Sequence, residues 1–269
     1  MKANTKSAIL LIALSLPTTL VAQTGLTVKP SGVRVISETV GEGFKGLTPF
    51  NTQDKGAALA LLIKSGGPSI IKIDTGASKL VAFADDKGAS LLTEGKRFNQ
   101  DGIGHFARIS EDGKAALVEI TGRGLPTAGA TKLNAEGTLV VQTASKKSVV
   151  KSASFELKKG SQVTVGDIVI TVNKVGKPSF GDDKLEVEIQ TGNKALETVA
   201  EVKFLTAAGK VIESRGSGSS SMGFGKKFTY GRSFNLKQAV SGQVVLQFEI
   251  WTDIAEKKVP FSVSAGIGG

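Results

Sequence analysis

The chain has no cysteine and only one histidine, one tryptophan and one tyrosine among its 269 residues. Without cysteine it can form no disulfide, thiolate metal site, cysteine nucleophile or lipid-modified N-terminal cysteine. Ser-His-Asp catalysis would depend on His105, but no Gly-x-Ser-x-Gly motif accompanies it, and we expect this histidine to be solvated. The interleaved aromatic side chains that stack on bases are also missing, which argues against a nucleic-acid partner.

The positive charge is spread evenly along the chain. The formal net charge is +10. Residues 23–148 and residues 149–269 each hold 16 basic and 12 acidic side chains. A polyanion binder would concentrate this excess, so we predict a solvated basic surface. An adhesin for anionic envelope polymers is a further hypothesis, and the even distribution argues against it.

The N-terminus has the three parts of a secretory signal. A basic start at Lys2 and Lys6 precedes the apolar stretch Ala8–Leu16, and small residues end the segment at Ala22. We predict a signal peptide over residues 1–22 and a periplasmic or extracellular protein. No later stretch approaches eighteen apolar residues, so we expect no stable membrane insertion after cleavage.

Almost every periodic segment predicts a β-strand. The stretches 185–189 and 244–250 alternate apolar with polar residues, which is typical of a sheet with one buried face. Turn signals such as Glu111–Lys114 and Lys158–Gly160 separate these segments at short intervals. No segment keeps a helical period for three turns. The sequence therefore predicts an all-β fold of the sandwich type.

A spacing of Val, Phe, Gly and a second apolar residue occurs twice, 121 residues apart. The two sets are Val81, Phe83, Gly88 and Leu91, and Val202, Phe204, Gly209 and Ile212. The spacing predicts a strand with inward Val and Phe, a turn whose Gly takes positive φ, and a returning strand.

The same offset aligns two terminal strands. Thr138 to Thr143 falls on Val259 to Ser264, where Pro260 predicts an edge strand. We therefore predict two tandem immunoglobulin-like sandwiches, over residues 23–147 and 148–269. The boundary lies in the polar stretch Ser145–Ser148.

The second copy resembles FxLYD-type and related immunoglobulin-like domains of bacterial extracytoplasmic proteins. The resemblance is carried by "NKALETVAEVKFLTAAGKVIES" and "VVLQFEIWTD", with a polar turn before a Val-x-Phe strand and a Gly-Lys turn after it. It implies the fold and a cell-envelope setting, with no shared catalytic residues. The chain departs from the family in having "LTAAG" at the position of the usual acidic turn.

A second resemblance is to retropepsins. "LALLIKSGGPSIIKIDTGAS" is similar to the hairpin that leads into their aspartate loop, "GIGHFARI" to their flap tip and "VEITGRGL" to a later apolar element. The resemblance implies that Asp74 is a catalytic carboxylate, supported by Thr75 and Gly76. Such an enzyme needs two Asp-Thr-Gly loops, so this chain could act only as a homodimer.

Three features of the sequence argue against the protease. Only 13 residues separate Phe106 from Ile120, too few to return from a flap and cross the sheet again. Thr121 replaces an apolar residue, and the Gly and Pro residues of 122–129 exclude the helix that should follow. Because Asp-Thr-Gly is also ordinary turn chemistry, we predict that Asp74 begins a surface turn, with the protease as the alternative.

The remaining candidates give no catalytic, cofactor-binding or metal-ligating residue. The pairs Asp85-Asp86 and Asp182-Asp183 lack the alternating spacing of a calcium loop, so we predict turns. Arg215 to Lys227 is rich in Gly and Ser and predicts a flexible hairpin loop or a mobile binding loop that exposes Met222 and Phe224. We predict an exported, non-catalytic binding or structural module that binds an unknown protein or envelope polymer.

Overall fold

The chain is an all-β protein in the part that its computed structural model describes. The described residues are 25–38, 55–93, 101–105, 107–178, 181–224, 227–240 and 242–267. They form eighteen strands in four antiparallel sheets, with one 3-10 turn at Lys194–Thr198. The prediction of an all-β fold is thus confirmed, whereas the predicted signal peptide 1–22 lies outside the described residues. None of the residues described forms a helix long and apolar enough to cross a membrane.

The strands are numbered in chain order. The first nine are β1 (Leu26–Ile36), β2 (Gly56–Ser65), β3 (Ser69–Asp85), β4 (Gly102–Ile103), β5 (Arg108–Ile109), β6 (Ala115–Gly122), β7 (Lys132–Ala144), β8 (Lys147–Lys151) and β9 (Phe155–Glu156). The other nine are β10 (Gln162–Val165), β11 (Ile168–Gly176), β12 (Leu185–Thr191), β13 (Val199–Thr206), β14 (Val211–Ile212), β15 (Ser214–Phe224), β16 (Lys227–Leu236), β17 (Gln243–Trp251) and β18 (Ala255–Gly266).

Two sheets enclose the first hydrophobic core. One has the order β1-β2-β6-β4, with β5 also paired to β6, and the other has the order β18-β7-β3. Strand β6, with the sequence AALVEITG, alternates between buried and half-buried positions along its length. Its inward face packs into a cluster with residues of both sheets, among them Leu59, Phe83, Leu139 and Phe261. We call β1–β7 together with β18 the first unit.

Two further sheets enclose the second core. Their orders are β10-β11-β12-β16-β15 and β14-β13-β17-β8, with β9 also paired to β17. Ile170 and Ile189 from the one sheet and Phe204 and Phe248 from the other are fully buried in a shared cluster. Phe204 meets Phe234 edge to face, with ring centroids 5.3 Å apart. We call β8–β17 the second unit.

The last strand does not pair with the second unit, although the sequence placed all of residues 148–269 there. Strand β18 pairs along its whole length with β7 of the first unit. Val259 and Phe261 are buried in the first core because they lie on the inward face of β18. The aligned stretches 138–143 and 259–264 are therefore neighbouring strands of one sheet. The edge position predicted from Pro260 is confirmed, since β18 ends its sheet.

A continuous two-stranded ribbon connects the two units. Strand β7 leads directly into β8, and β17 leads into β18, so each chain segment passes from one unit to the other. The register is the same on both sides of the junction, since Thr143 pairs with Ala255 and Lys147 with Trp251. From Lys132 to Lys151 the ribbon is about 65 Å long at the usual rise of a strand.

Asp253 joins the two crossing segments at the centre of this ribbon. Its Oδ1 accepts the N–H groups of Ser145 and Lys146 over 2.9 and 2.8 Å, and its Oδ2 accepts the Ser145 hydroxyl over 2.7 Å. The Thr252 N–H donates to the Lys146 carbonyl over 3.1 Å. The bonds from Lys146 and Ser145 lower the pKa of Asp253 to about 2. The polar stretch where the sequence places a domain boundary is thus a hydrogen-bonded crossing.

The two Val-x-Phe segments end in turns of similar geometry. The expected returning strand, β14, follows the second turn, whereas the first is followed only by a single bridge between Ala84 and Ser90. Phe83 and Phe204 are each at most 1% exposed, and they lie in the first and the second core respectively. Gly88 and Gly209 have φ values of 85° and 81°. The positive φ expected of both glycines is confirmed.

The two turns also share a backbone hydrogen bond that closes them. The Asp85 N–H donates to the carbonyl four residues later over 3.0 Å, and the Thr206 N–H does the same over 2.8 Å. Val81 differs from the expectation, because it is 60% exposed whereas Val202 is 7% exposed. Val81 is itself the extra residue of a bulge between Leu80 and Ala82, and this shifts its side chain out of alternation.

Candidate functional site

Asp74 lies in a bulge inside strand β3. Backbone pairing with β7 stops after Asp74 and resumes at Lys79, and within residues 75–78 the Ser78 hydroxyl accepts the Val140 N–H of β7 over 2.9 Å. Asp74 Oδ1 accepts the Ala77 N–H over 3.0 Å, and its carbonyl accepts the Ser78 hydroxyl over 2.7 Å. The carboxylate thus closes a local turn, the chemistry expected of Asp-Thr-Gly. The turn interrupts one long strand, whereas the sequence placed it before a strand.

The segments that resemble other retropepsin elements lie in the opposite sheet from Asp74. Strands β4 and β5 come from the flap-like stretch. Both pair directly with β6, which contains the first residues of the later apolar element. Gly102 pairs with Thr121 and Arg108 with Leu117. The protease remains a hypothesis that a test of Asp74 can decide.

The other acidic candidates take part in turns. Asp85, 2% exposed, accepts the N–H groups of Lys87, Ala89 and Thr127 at 2.7–2.9 Å. Bonds from the Thr127 side chain and backbone are the main cause that lowers the pKa of Asp85 to about 2. No group of three or more acidic or histidine side chains in the described residues could hold a metal ion.

The remaining sequence candidates lie apart from one another. Asp86 accepts both the N–H and the hydroxyl of Thr131, and Asp183 forms an ion pair with Arg215 at 2.7 Å. His105 is exposed and follows β4. These side chains hold turns and strand ends, and they form no shared site.

The Gly/Ser-rich stretch is a strand, and the expectation of a flexible or mobile loop is wrong for its described residues. Residues Ser214–Phe224 form β15, which pairs with β16 from Ser214–Leu236 to Phe224–Lys227. β15 is the edge strand of its sheet. Met222 is 75% exposed, as expected, whereas the side chain of Phe224 lies outside the described atoms. The pairing partner β16, with its Phe and Tyr residues, supplies the strand propensity that β15 lacks.

The inner face of this β15–β16 hairpin extends beyond the core. Phe234 of β16 is buried in the second core, and Arg232, Tyr230 and Phe228 follow on the same face, since side chains alternate along a strand. Exposure increases along this series, and Phe228 is 52% exposed. Its ring stacks on that of Tyr230, with centroids 6.4 Å apart. The paired positions on β15 are only Ser and Gly, so the rings stay uncovered.

Arg232 ties the base of the hairpin to the 3-10 turn. Its Nη2 donates to the Leu196 carbonyl over 2.9 Å and to the Val199 carbonyl over 2.7 Å. Burial lowers the pKa of Arg232 from its ordinary value, and the nearby Glu197 carboxylate opposes this shift. A guanidinium has five N–H donors, and both of these bonds come from Nη2.

An ion pair connects the first unit with this site. Lys72 of β3 lies 2.9 Å from Glu197 Oε2, and both side chains are about one-third exposed. Two clefts share this pair. One, of about 430 Å³, is lined by Tyr230, Arg232 and Ser219–Ser221. The other, of about 360 Å³, is lined by Gln142, Lys194, Thr198 and Ile254. We call the first, larger cleft the hairpin cleft.

The hairpin cleft brings together several kinds of ligand-binding group. It combines an aromatic face, serine hydroxyls and two cations with one carboxylate, Glu197, which is already paired. Comparison with family models, curated proteins and solved structures finds no match. Function therefore has to be argued from the geometry of this chain.

Sequence reasoning did not find the hairpin cleft because its residues come from distant segments. Lys72, Glu197 and Arg232 are brought together by the ribbon and by the 3-10 turn. The one available signal was the alternation of Phe228, Tyr230, Arg232 and Phe234. That pattern, next to a Gly/Ser-rich run, indicates a hairpin with an aromatic face.

Proposed function

We propose that the chain is a non-catalytic binding module of the bacterial cell envelope, built from two immunoglobulin-like sandwiches. The order β1-β2-β6-β4 corresponds to the A-B-E-D sheet of such a sandwich, and β3-β7-β18 to its C-F-G sheet. In the second unit β11-β12-β16-β15 and β13-β17-β8 take the same places. These correspondences support the fold implied by the resemblance of "VAEVKFLTAAGKVIES" to envelope domains.

The two sandwiches exchange their G strands. The G position of the first sandwich holds β18, which follows the second sandwich in the chain, and the G position of the second holds β8, which follows β7. Two crossing strands with a constant register form a stiffer connection than a single linker. A module of this kind holds residues of both sandwiches at a fixed distance.

The observation that carries the proposal is the hairpin cleft, which residues of both units line. Lys72 comes from the first unit, and Tyr230 and Arg232 come from the second. Clefts between domains that combine aromatic faces with a few polar groups are typical ligand sites. The described residues at the cleft include no base aligned with a nucleophile, so we propose binding without catalysis.

A binding assay with a matched pair of variants tests this function. Labelled mature protein is added to a bacterial cell-envelope preparation, and the bound fraction is measured with and without excess unlabelled protein. We expect saturable binding that Ser221→Trp weakens at least fivefold, because the indole fills the cleft beside Tyr230. The control Val169→Trp places the same side chain at an exposed position of β11 and should bind normally. Equal binding by both variants would contradict the proposal.

A further inference from the structure

The edge of β15 differs from the other long sheet edges in the described part of the chain. Natural proteins protect edge strands by short length, proline, lysine or bulges. Strand β1 carries Pro30 and a bulge, and β18 carries Pro260 with two adjacent lysines. β3 is interrupted at 75–78, and β8 has five residues with a lysine at each end. The remaining edges, β4, β5, β9, β10 and β14, have two to four residues.

β15 has little of this protection. It is eleven residues long, contains no proline, and its only charged residue is Arg215. Beyond one bulge at 216–218, six uncharged residues follow to the end of the strand. Residues 215–223 are all exposed. An edge of this kind offers a row of backbone donors and acceptors to another extended chain.

Packing does not explain two of the glycines of β15, Gly216 and Gly218. Neither is among the residues with positive φ, and a Cβ at either would meet nothing within 4 Å. Both flank the bulge of β15, which leaves the space beside them open. Glycine in a strand can mark a place where another backbone approaches closely.

The side chains around the edge indicate which chain would fit. The Phe228 ring lies over Gly223, where a Cβ would come within 2.6 Å of it, so the ring reaches towards the open edge. Four residues along β15, Ser219 lies opposite Arg232, and Lys72 lines the same cleft. An added strand would therefore place one side chain beside the Phe228 ring. The side chain four residues further along, on the same face of the added strand, would lie beside Arg232 and Lys72.

We propose that β15 binds an extended, acidic segment of a partner protein as an additional strand of the sheet. This rests on the proposed function as a binding module and names the ligand class of the same site. Charge complementarity favours the acidic partner over a second copy of this chain. Two copies of β15 would bring the Arg232 side chains of the two clefts towards each other, with no acidic residue in the strand to offset them, whereas Arg215 is already paired with Asp183.

Capped nine-residue peptides test the proposal. In the probe peptide, threonine occupies every second position, and phenylalanine, valine and glutamate occupy the positions between, so that these three side chains share one face. One peptide has them in this order and a second in the reverse order, and binding is measured by fluorescence anisotropy. We expect the glutamate peptide to bind at least tenfold more tightly than its lysine counterpart, because of the cations. We expect N-methylation of the backbone amides to abolish binding, because an N-methylated strand cannot join a sheet. Undiminished binding of the N-methylated peptide would overturn the proposal.

Variants of the protein locate the contact. Phe228→Ala should weaken binding at least fivefold, whereas Val169→Ala, which removes a side chain of similar exposure from the same sheet, should not. Glu197→Gln should strengthen binding of the glutamate peptide, because it removes the carboxylate that competes for Lys72. A purely structural role for these residues predicts no such gain. Equal effects of Phe228→Ala and Val169→Ala would refute the assignment to β15.

The oligomeric state and the envelope assay separate the remaining outcomes. Sedimentation that shows a monomer supports the acidic partner. A dimer that Phe228→Ala dissociates would identify a second copy as the occupant and overturn the proposal. Envelope binding that persists while no peptide binds would refute the added strand alone. Loss of both would refute the proposed function as well.

Discussion

The substitution Phe261→Ala tests whether the C-terminal strand completes the first unit. Phe261 is 5% exposed, and its ring packs on β7 above Gly137, where a Cβ would lie only 2.8 Å from the ring. Strand β7 is paired on both sides, with β18 and with β3, so its backbone has little freedom to move into the space that the ring leaves. Removal of a buried phenylalanine ring typically costs about 3 to 5 kcal/mol of unfolding free energy. Because the site has little room to collapse, we expect a cost of about 4 kcal/mol for the first unit.

Guanidinium unfolding measured by two signals checks this prediction. Far-ultraviolet circular dichroism reports on all strands. Trp251, the single tryptophan, lies on β17 with the Lys147 ammonium 4.6 Å from its ring centroid, so its fluorescence reports on the second unit at the junction. We expect Phe261→Ala to move the circular dichroism transition to lower denaturant and to move the fluorescence transition less.

Ser262→Ala is the matched control. Ser262 is the next residue on β18 and is exposed, so its substitution should change stability by less than about 0.5 kcal/mol. If Phe261→Ala destabilised the protein by less than about 1 kcal/mol, or shifted only the tryptophan transition, β18 would not be an integral strand of the first core.

Four more predictions concern acidic residues and charge. Asp253→Ala should speed hydrogen exchange of the Ser145 and Lys146 amides, because both lose the carboxylate that accepts them; unchanged exchange would contradict the role of Asp253. The pKa of Asp85 is lowered to about 2 from 3.8, so its stabilisation is complete above pH 3.8 and lost as pH falls towards 2; acid unfolding of Asp85→Asn should lack this step. Asp74→Asn should leave any hydrolysis of a peptide library unchanged, and loss of hydrolysis in this variant would instead support the protease. Retention on an anionic polymer column should fall steeply with salt if an adhesin role holds, and salt-insensitive retention would count against it.

Local features of the fold were predictable because they depend on neighbouring residues. Phe83 and Phe204 each combine strand propensity with a Gly turn a few residues later; both are buried and followed by the expected turn, and the second also has the expected returning strand. Alternation along β6 and β17 also predicts buried faces. These signals lie within stretches of about ten residues, so no knowledge of the partner strands is needed.

The pairing of β18 and the hairpin cleft depend on distant contacts. The alternation of Val259 and Phe261 predicts a strand with one buried face, but the same pattern fits any sheet of either unit. β15 has almost no apolar alternation, and its strand forms through pairing with β16. Glu197 and Lys72, 125 residues apart, meet only because the ribbon fixes one unit against the other.

The most direct test of a binding module with an open strand edge is amide hydrogen exchange of β15, measured residue by residue with and without the glutamate peptide. The amides of Ser214–Phe224 that point away from β16 should exchange fast in the free protein, because no neighbouring strand covers them. At saturating peptide, we expect every second amide of β15 to slow by at least tenfold, as in a newly formed ladder. Unchanged exchange along β15, or slowing confined to another edge such as β18, would contradict this function for the edge.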